Sequence, residues 1–175
     1  MLSHRNLIAN CRMITRAFQT GRFKGSICSW LPTYHDMGLV GGILNPMYCG
    51  TEDNLMSPVA FLTRPIRWLR AISKYKSIAS GGPNFAYAWC TMKINDEDCE
   101  GLDLSNWKVA FNGAEPVSAA VMERFTEKFA PYGFSPEAFY PCYGMAETTL
   151  IVTGGSDEEA PIVRPFDKYE LGEHR

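Results

Sequence analysis

Four short segments of the chain concentrate the residue types that can do chemistry: Trp30–Gly38 (WLPTYHDMG), Ser80–Phe85 (SGGPNF), Phe111–Pro116 (FNGAEP) and Tyr143–Thr149 (YGMAETT). Tyr143 offers a flat π-face on which a planar group can stack, although a half-buried core tyrosine has the same composition. Glu147 offers oxygens to a hard cation, or is a solvated carboxylate at a helix start, where the dipole favours it. Glu115 reads as a site carboxylate or as an anchor for the turn before Pro116. His35 beside Asp36 reads as a general-base or metal pair, or as a surface pair, because adjacent side chains usually point apart. Any one segment could be a plain turn rich in Gly, Pro and Asn. Four of them in one chain suggest a composite site, provided the fold gathers them.

Several reaction classes lack their signatures. There is no G-x-S-x-G nucleophile elbow, no Walker A sequence and no G-x-G-x-x-G fingerprint. The histidines His4, His35 and His174 have no ligand spacing, and none of the six cysteines forms a CxxC pair, so a structural zinc site is not expected. The cysteines read as reduced thiols of a cytoplasmic protein rather than as a disulfide framework.

The elements between the segments predict how they could be brought together. Leu7, Cys11, Ile14 and Phe18 fall on one face of a helix over His4 to Phe18, with Ser3 as N-cap and Gly21 as its stop. Short apolar runs predict strands at Ile27–Leu31, Asn54–Ser57, Ser77–Ser80, Lys108–Phe111 and Phe139–Cys142. Helices are expected over Gly38 to Tyr48, from Pro65 with Ile66, Leu69 and Ile72 inward, over Asn84 to Ile94, and over Ser118 to Ala130 with Val121, Met122, Phe125 and Phe129 inward. Strands separated by such helices form an α/β fold with a mostly parallel sheet flanked by helices. Sheets of that kind bind ligands at the carboxyl ends of their strands, which is where the four segments fall.

Composition sets outer limits. The chain has 175 residues, 46% hydrophobic and 21% charged, the profile of one ordinary globular domain. Its formal net charge of −2 argues against a polybasic binder of nucleic acid or membrane surfaces. The longest uncharged stretch, Ser77 to Met92, is shorter than the ~20 apolar residues of a membrane helix and contains Gly81, Gly82 and Pro83. The N-terminal MLSHRNLIAN has no apolar signal core.

Taken in order, WLPTYHDMGLVGGIL, MSPVAFLTRPIRWL, SGGPNFAY, FNGAEPV and FYPCYGMAETTLIVTGG closely resemble the fatty acyl-AMP ligases. These belong to the adenylate-forming superfamily, with acyl-CoA synthetases, luciferases and peptide-synthetase adenylation domains. The resemblance implies activation of a fatty acid with ATP and Mg²⁺ to acyl adenylate and pyrophosphate. Transfer to an acyl carrier protein, or to the carrier domain of a polyketide or peptide synthase, would follow. By the same resemblance Tyr143 stacks on adenine, Gly144 lets the backbone approach the nucleotide with Met145 and Ala146 beside it, and Glu147 holds Mg²⁺. Gly113, Ala114 and Glu115 border adenine and ribose, with no Cβ at Gly113 to block a planar base. His35 borders the carboxylate and gates the pocket. Met37, Gly42, Gly81, Gly82, Pro83 and Phe85 line the acyl channel, whereas the aromatics around Phe85, Tyr87 and Trp89 also read as core.

The resemblance also implies parts that lie elsewhere. Residues 1–166 match part of an AMP-dependent synthetase/ligase domain, and 167–175 the start of a truncated insertion or linker. A phosphate loop would precede Met1, and a ribose-binding Asp and a catalytic Lys would follow Arg175. The chain alone is therefore expected to be inactive. Ala146 stands where the wider superfamily has Thr, which fits the fatty acyl-AMP ligase pattern but forgoes a phosphate hydrogen bond. The competing readings are a non-catalytic nucleotide-binding or scaffolding remnant and a piece of a fatty acyl-CoA synthetase.

Overall fold

A computed structural model describes residues 1–20, 23–155, 160–167 and 172. Gly21, expected as a helix stop, and nearly all of segment 167–175 lie outside the described residues. Helix α1 (His4–Ala17) starts at Ser3, whose hydroxyl accepts from the Asn6 N–H while the Asn6 side chain accepts from the Ser3 N–H. This reciprocal cap satisfies two N–H groups that the helix leaves without partners, and is worth about 1 kcal/mol. Strand β1 (Ser26–Ser29) follows, then a π-helix over Met37–Leu44 that runs into α2 (Asn45–Cys49). Next come β2 (Asp53–Leu55), α3 (Pro58–Thr63), α4 (Ile66–Tyr75), β3 (Ser77–Gly82) and α5 (Asn84–Lys93). The described chain continues with β4 (Val109–Asn112), α6 (Ala119–Phe129), β5 (Phe139–Gly144) and β6 (Ile151–Gly154).

The strands form one sheet in the order β2-β1-β3-β4-β5-β6. The first five are parallel, as the alternation predicts, and β6 is antiparallel to β5. Alternate side chains of a strand point to opposite faces, and the burial follows that rule. Cys28, Ala110 and Phe139 join the core against α3 to α6, whereas Ile27, Val109 and Tyr140 join the core against α1 and the π-helix.

The structure differs from the sequence expectations at several elements. The helix expected over Gly38 to Tyr48 is π-wound in its first part. Its glycines permit this close seat: a Cβ on Gly38 would sit 2.1 Å from the Pro32 carbonyl oxygen, and one on Gly42 2.7 Å from Ser29 Oγ. Helix α3 and strand β6 were not expected. Ser57, expected at a strand end, caps α3 by accepting from the Ala60 N–H, and Pro65 is the N-cap of α4 rather than its first turn. Gly81 and Gly82 belong to β3 because its parallel ladder with β4 runs past the apolar run, and Tyr143 and Gly144 belong to β5 because they pair antiparallel with β6. Among the described residues no helix is long and apolar enough to cross a membrane.

Candidate functional site

The sheet and its α1 side enclose a cavity of about 410 Å³. Its apolar wall comes from Ile14 of α1, Phe18 at the C-cap of that helix, Ile27 of β1, Ala79 of β3 and Phe111 of β4. Phe18 stacks on Phe111 with ring centres 5.8 Å apart and meets Tyr140 edge-on at 5.2 Å. The rim is more polar. It is built from Tyr34 to Met37 after β1, Ala114 after β4, and Tyr143 to Ala146 in and after β5. These are the carboxyl ends of β1, β4 and β5 on one edge of the parallel sheet, so the pairing gathers segments far apart in sequence.

Three of the four expected segments meet at this cavity. The fourth, Ser80–Phe85, does not. A Cβ on Gly81 would strike the Phe111 carbonyl at 2.1 Å, and one on Gly82 the Trp30 ring at 2.6 Å. Both glycines are buried in β3 and serve strand packing. Pro83 is the N-cap of α5, and the Phe85 ring sits edge-on to Trp30, 6.1 Å away, beside the opposite core. Gly42 is turned toward Ser29 of β1. Of the six residues expected to line a channel, Met37 alone borders this cavity. Tyr87 is fully buried, as expected of a core residue, and its hydroxyl donates to the Phe111 carbonyl at 2.8 Å.

At the rim, His35 Nδ1 lies 2.7 Å from Asp36 Oδ1, so these adjacent side chains do pair. The Met37 N–H lies 2.8 Å from the same carboxylate and 3.2 Å from Nδ1. Nδ1 cannot accept that N–H while donating to Asp36, and the shorter contact places its proton toward Asp36. The ring itself is half-exposed. The first turn of the π-helix imposes this pairing, because Asp36 caps it.

Tyr143 is 56% exposed and borders both this cavity and a second one of about 470 Å³ beside Val117, Gly154 and Ile162. A Cβ on Gly144 would sit 2.1 Å from the Leu150 carbonyl, so the close approach that demands glycine there is the β5–β6 hairpin itself. Likewise a Cβ on Gly113 would meet the Cys142 carbonyl at 2.6 Å. Its glycine requirement comes from β5 rather than from a base plane. Ala114 has φ +68°, a left-handed conformation that costs a non-glycine residue about 1–2 kcal/mol. Glu115 Oε1 accepts the Phe85 N–H at 2.5 Å, which makes it an anchor for the start of α5.

Glu147 is exposed on a 3-10 turn (Ala146–Thr148) just outside the cavity lining. Among the described residues no three His, Cys, Asp or Glu side chains cluster as a metal cage. One exposed carboxylate does fit Mg²⁺ carried on substrate phosphates, since that ion takes one or two protein oxygens and phosphate for the rest. Cys142 reaches the cavity, but burial pushes its thiol up to about 11, against a lowering hydrogen bond from the Asn112 backbone. It stays protonated near neutrality and makes a poor nucleophile. All six cysteines are free.

Asn45, Leu150 and Ile151, which line the cavity, were not expected there, nor was Asn10, which hydrogen-bonds to Ile151. Asn10 had a signal: it is a polar residue on the same face as Leu7, Cys11 and Ile14, and it is buried.

The sequence matches the AMP-binding enzyme family over residues 1–170. It is 49% identical to a medium-chain-fatty-acid–[acyl-carrier-protein] ligase of Teredinibacter turnerae over 98% of this chain and 26% of that protein. It is 40% identical to a 4-hydroxyphenylalkanoate adenylyltransferase of Mycobacterium tuberculosis over 98% of this chain and 28% of that one. A solved structure of a fatty acyl-adenylate ligase from L. pneumophila, in complex with acyl adenylate and pyrophosphate, superimposes with a TM-score of 0.86 at 53% identity. That match covers 89% of this chain and 27% of the other. The chain thus spans about a quarter of the length of the relatives it matches.

Proposed function

This chain belongs to the AMP-binding enzyme family, and from that premise we propose that it is part of a fatty acyl-AMP ligase. The substrates would be a fatty acid and ATP, and the acceptor of the acyl group the phosphopantetheine thiol of an acyl carrier protein. The observation that carries this reading is the apolar cavity whose polar rim joins His35, Ala114 and Tyr143. An alkyl tail gains by leaving water for such walls, while its carboxylate stays at the rim.

In the reaction, a carboxylate oxygen attacks the α-phosphorus of ATP, the bond to the β-phosphate oxygen breaks, and pyrophosphate leaves with that electron pair. Chemistry of this kind needs alignment and charge stabilisation more than covalent participation. His35, held by Asp36, borders the carboxylate and gates the pocket. Tyr143 stacks on adenine, Gly144, Met145 and Ala146 border the nucleotide, and Gly113, Ala114 and Glu115 form the adjoining wall. Met37 contacts the start of the acyl tail. Glu147 would offer an oxygen to Mg²⁺, which would neutralise phosphate charge. A cytoplasmic setting agrees with the free thiols.

The test is pyrophosphate exchange into ATP by the full-length protein, with and without a medium-chain fatty acid. Exchange that depends on the acid is the expected result. Exchange that requires an amino acid instead, or none with any acid, would refute the reading.

A further inference from the structure

Resting on that reading, we propose that Asn10 is a positioning residue for the nucleotide-binding side of the site. Asn10 lies on α1, 4% exposed, and its side-chain amide grips the strap between β5 and β6. Nδ2 donates to the Ile151 carbonyl at 2.9 Å and to the Thr148 carbonyl at 3.4 Å, and Oδ1 accepts the Ile151 N–H at 3.1 Å. Both donor protons and the acceptor are used on backbone 138 and 141 residues away. Of the hydrogen-bonding side chains, only Asn or Gln presents donor and acceptor side by side in this way, and Gln is one methylene too long for the same seat.

The strap needs a clamp. Thr149, at its centre, has φ +82° and ψ −60°, a sparsely populated conformation that persists only where surroundings over-determine it. The hairpin supplies part of that constraint through the Met145 N–H to the Leu150 carbonyl at 2.9 Å. Asn10 supplies the connection to a separate element. Glu147 lies in the strap beside Thr148, and Tyr143 stands just before it in β5, so the clamp sets where the carboxylate and the aromatic face stand relative to α1.

Helix α1 is tied to the opposite rim as well. Asn45 Nδ2 donates to the Cys11 carbonyl at 3.0 Å and to Thr15 Oγ1 at 3.2 Å, and Asn45 is continuous with the π-helix that begins after His35 and Asp36. Two buried amides thus hang both sides of the rim on one helix. Asn10 touches neither the proposed nucleotide nor the acid, and acts only through the strap.

The experiment is steady-state kinetics of fatty-acid-dependent exchange in the full-length protein for wild type, Asn10→Ala, Asn10→Asp and Ser3→Ala. Asn10→Ala leaves two carbonyls and an N–H without partners, and should raise the KM for ATP about tenfold with the KM for fatty acid little changed. Asn10→Asp keeps the volume and the acceptor but sets a carboxylate oxygen against two carbonyls. It should show the same selective rise, and it decides the question if Asn10→Ala does not fold. Ser3→Ala weakens the same helix at its exposed cap, and should lower the melting temperature without moving either KM. Equal changes in both KM values, or unchanged values, in a folded Asn10 variant would overturn the positioning role alone. A wild-type protein without acid-dependent exchange overturns the functional reading and this role with it.

Discussion

Tyr143 is the side chain on which the nucleotide half of the proposal depends. Its ring is more than half exposed although it lies within a paired strand, and that exposure leaves the face open for stacking. Removing an aromatic face from a base costs about 1–3 kcal/mol. Tyr143→Ala should therefore weaken ATP binding by about ten- to a hundredfold in calorimetric titration, whereas Tyr143→Phe should bind nearly as wild type. Equal weakening by both substitutions would show that the hydroxyl, not the ring, makes the contact. Glycines nearby carry a different lesson. Gly113 and Gly144 are glycines because Cys142 and Leu150 crowd them, so motif glycines here keep strands close enough to aim their neighbours.

At the scale of elements, the edge strand β2 contains the clearest titration. Burial pushes the Asp53 carboxyl up to about 6, despite a lowering hydrogen bond from the Asn54 backbone. Its Oδ1 is buried without a hydrogen-bond partner among the described residues. A carboxyl whose folded pKa is raised binds more protons in the folded than in the unfolded state over the interval between the two values. Stability from this group is then complete below the unfolded value near 3.8 and is lost as pH rises through about 6. Asp53→Asn should make the protein more stable than wild type at about pH 7, with the advantage shrinking toward about pH 4. Urea midpoints at the two pH values check this, and an advantage that does not change with pH would contradict it.

Over the whole molecule, the two faces of the sheet divide the work. The α1 face holds the cavity, and the α3–α6 face holds a continuous aromatic core through Trp30, Phe61, Trp68, Tyr87, Trp107, Phe125 and Phe139. Two of its indole N–H groups are turned onto the sheet, whereas Trp30 Nε1 is buried without a partner among the described residues. Trp68 Nε1 donates to Ser80 Oγ at 2.8 Å, and Ser80 Oγ donates to the Cys28 carbonyl at 2.6 Å. Trp107 Nε1 donates to the Ser80 carbonyl at 3.1 Å. Core and ladder therefore share β3, which lies beside the cavity wall. Trp68 is fully buried, and Trp68→Ala should cost about 3–5 kcal/mol, read as a lower urea midpoint. A loss under about 1 kcal/mol would mean that the core collapses around the gap.

The sequence by itself determined the five parallel strands, most of the helices between them and the strand ends on which a site would lie. Apolar runs and helical spacing are local signals, and Ile27, Ala79 and Phe139 report their burial without help from distant residues. It also carried the motifs of the rim. What only the tertiary structure decided is which of those motifs face one space. Gly81, Gly82, Pro83 and Phe85 read like the others, yet Phe111 covers Gly81 on the face that Ala79 shares, and Gly82 and Phe85 meet the Trp30 ring on the opposite face. The β6 strand and the grip of Asn10 on Ile151 were equally hidden. A side-chain hydrogen bond across 141 residues depends on where two chain segments meet, and a polar Asn10 on an apolar face signals a buried partner without saying which one.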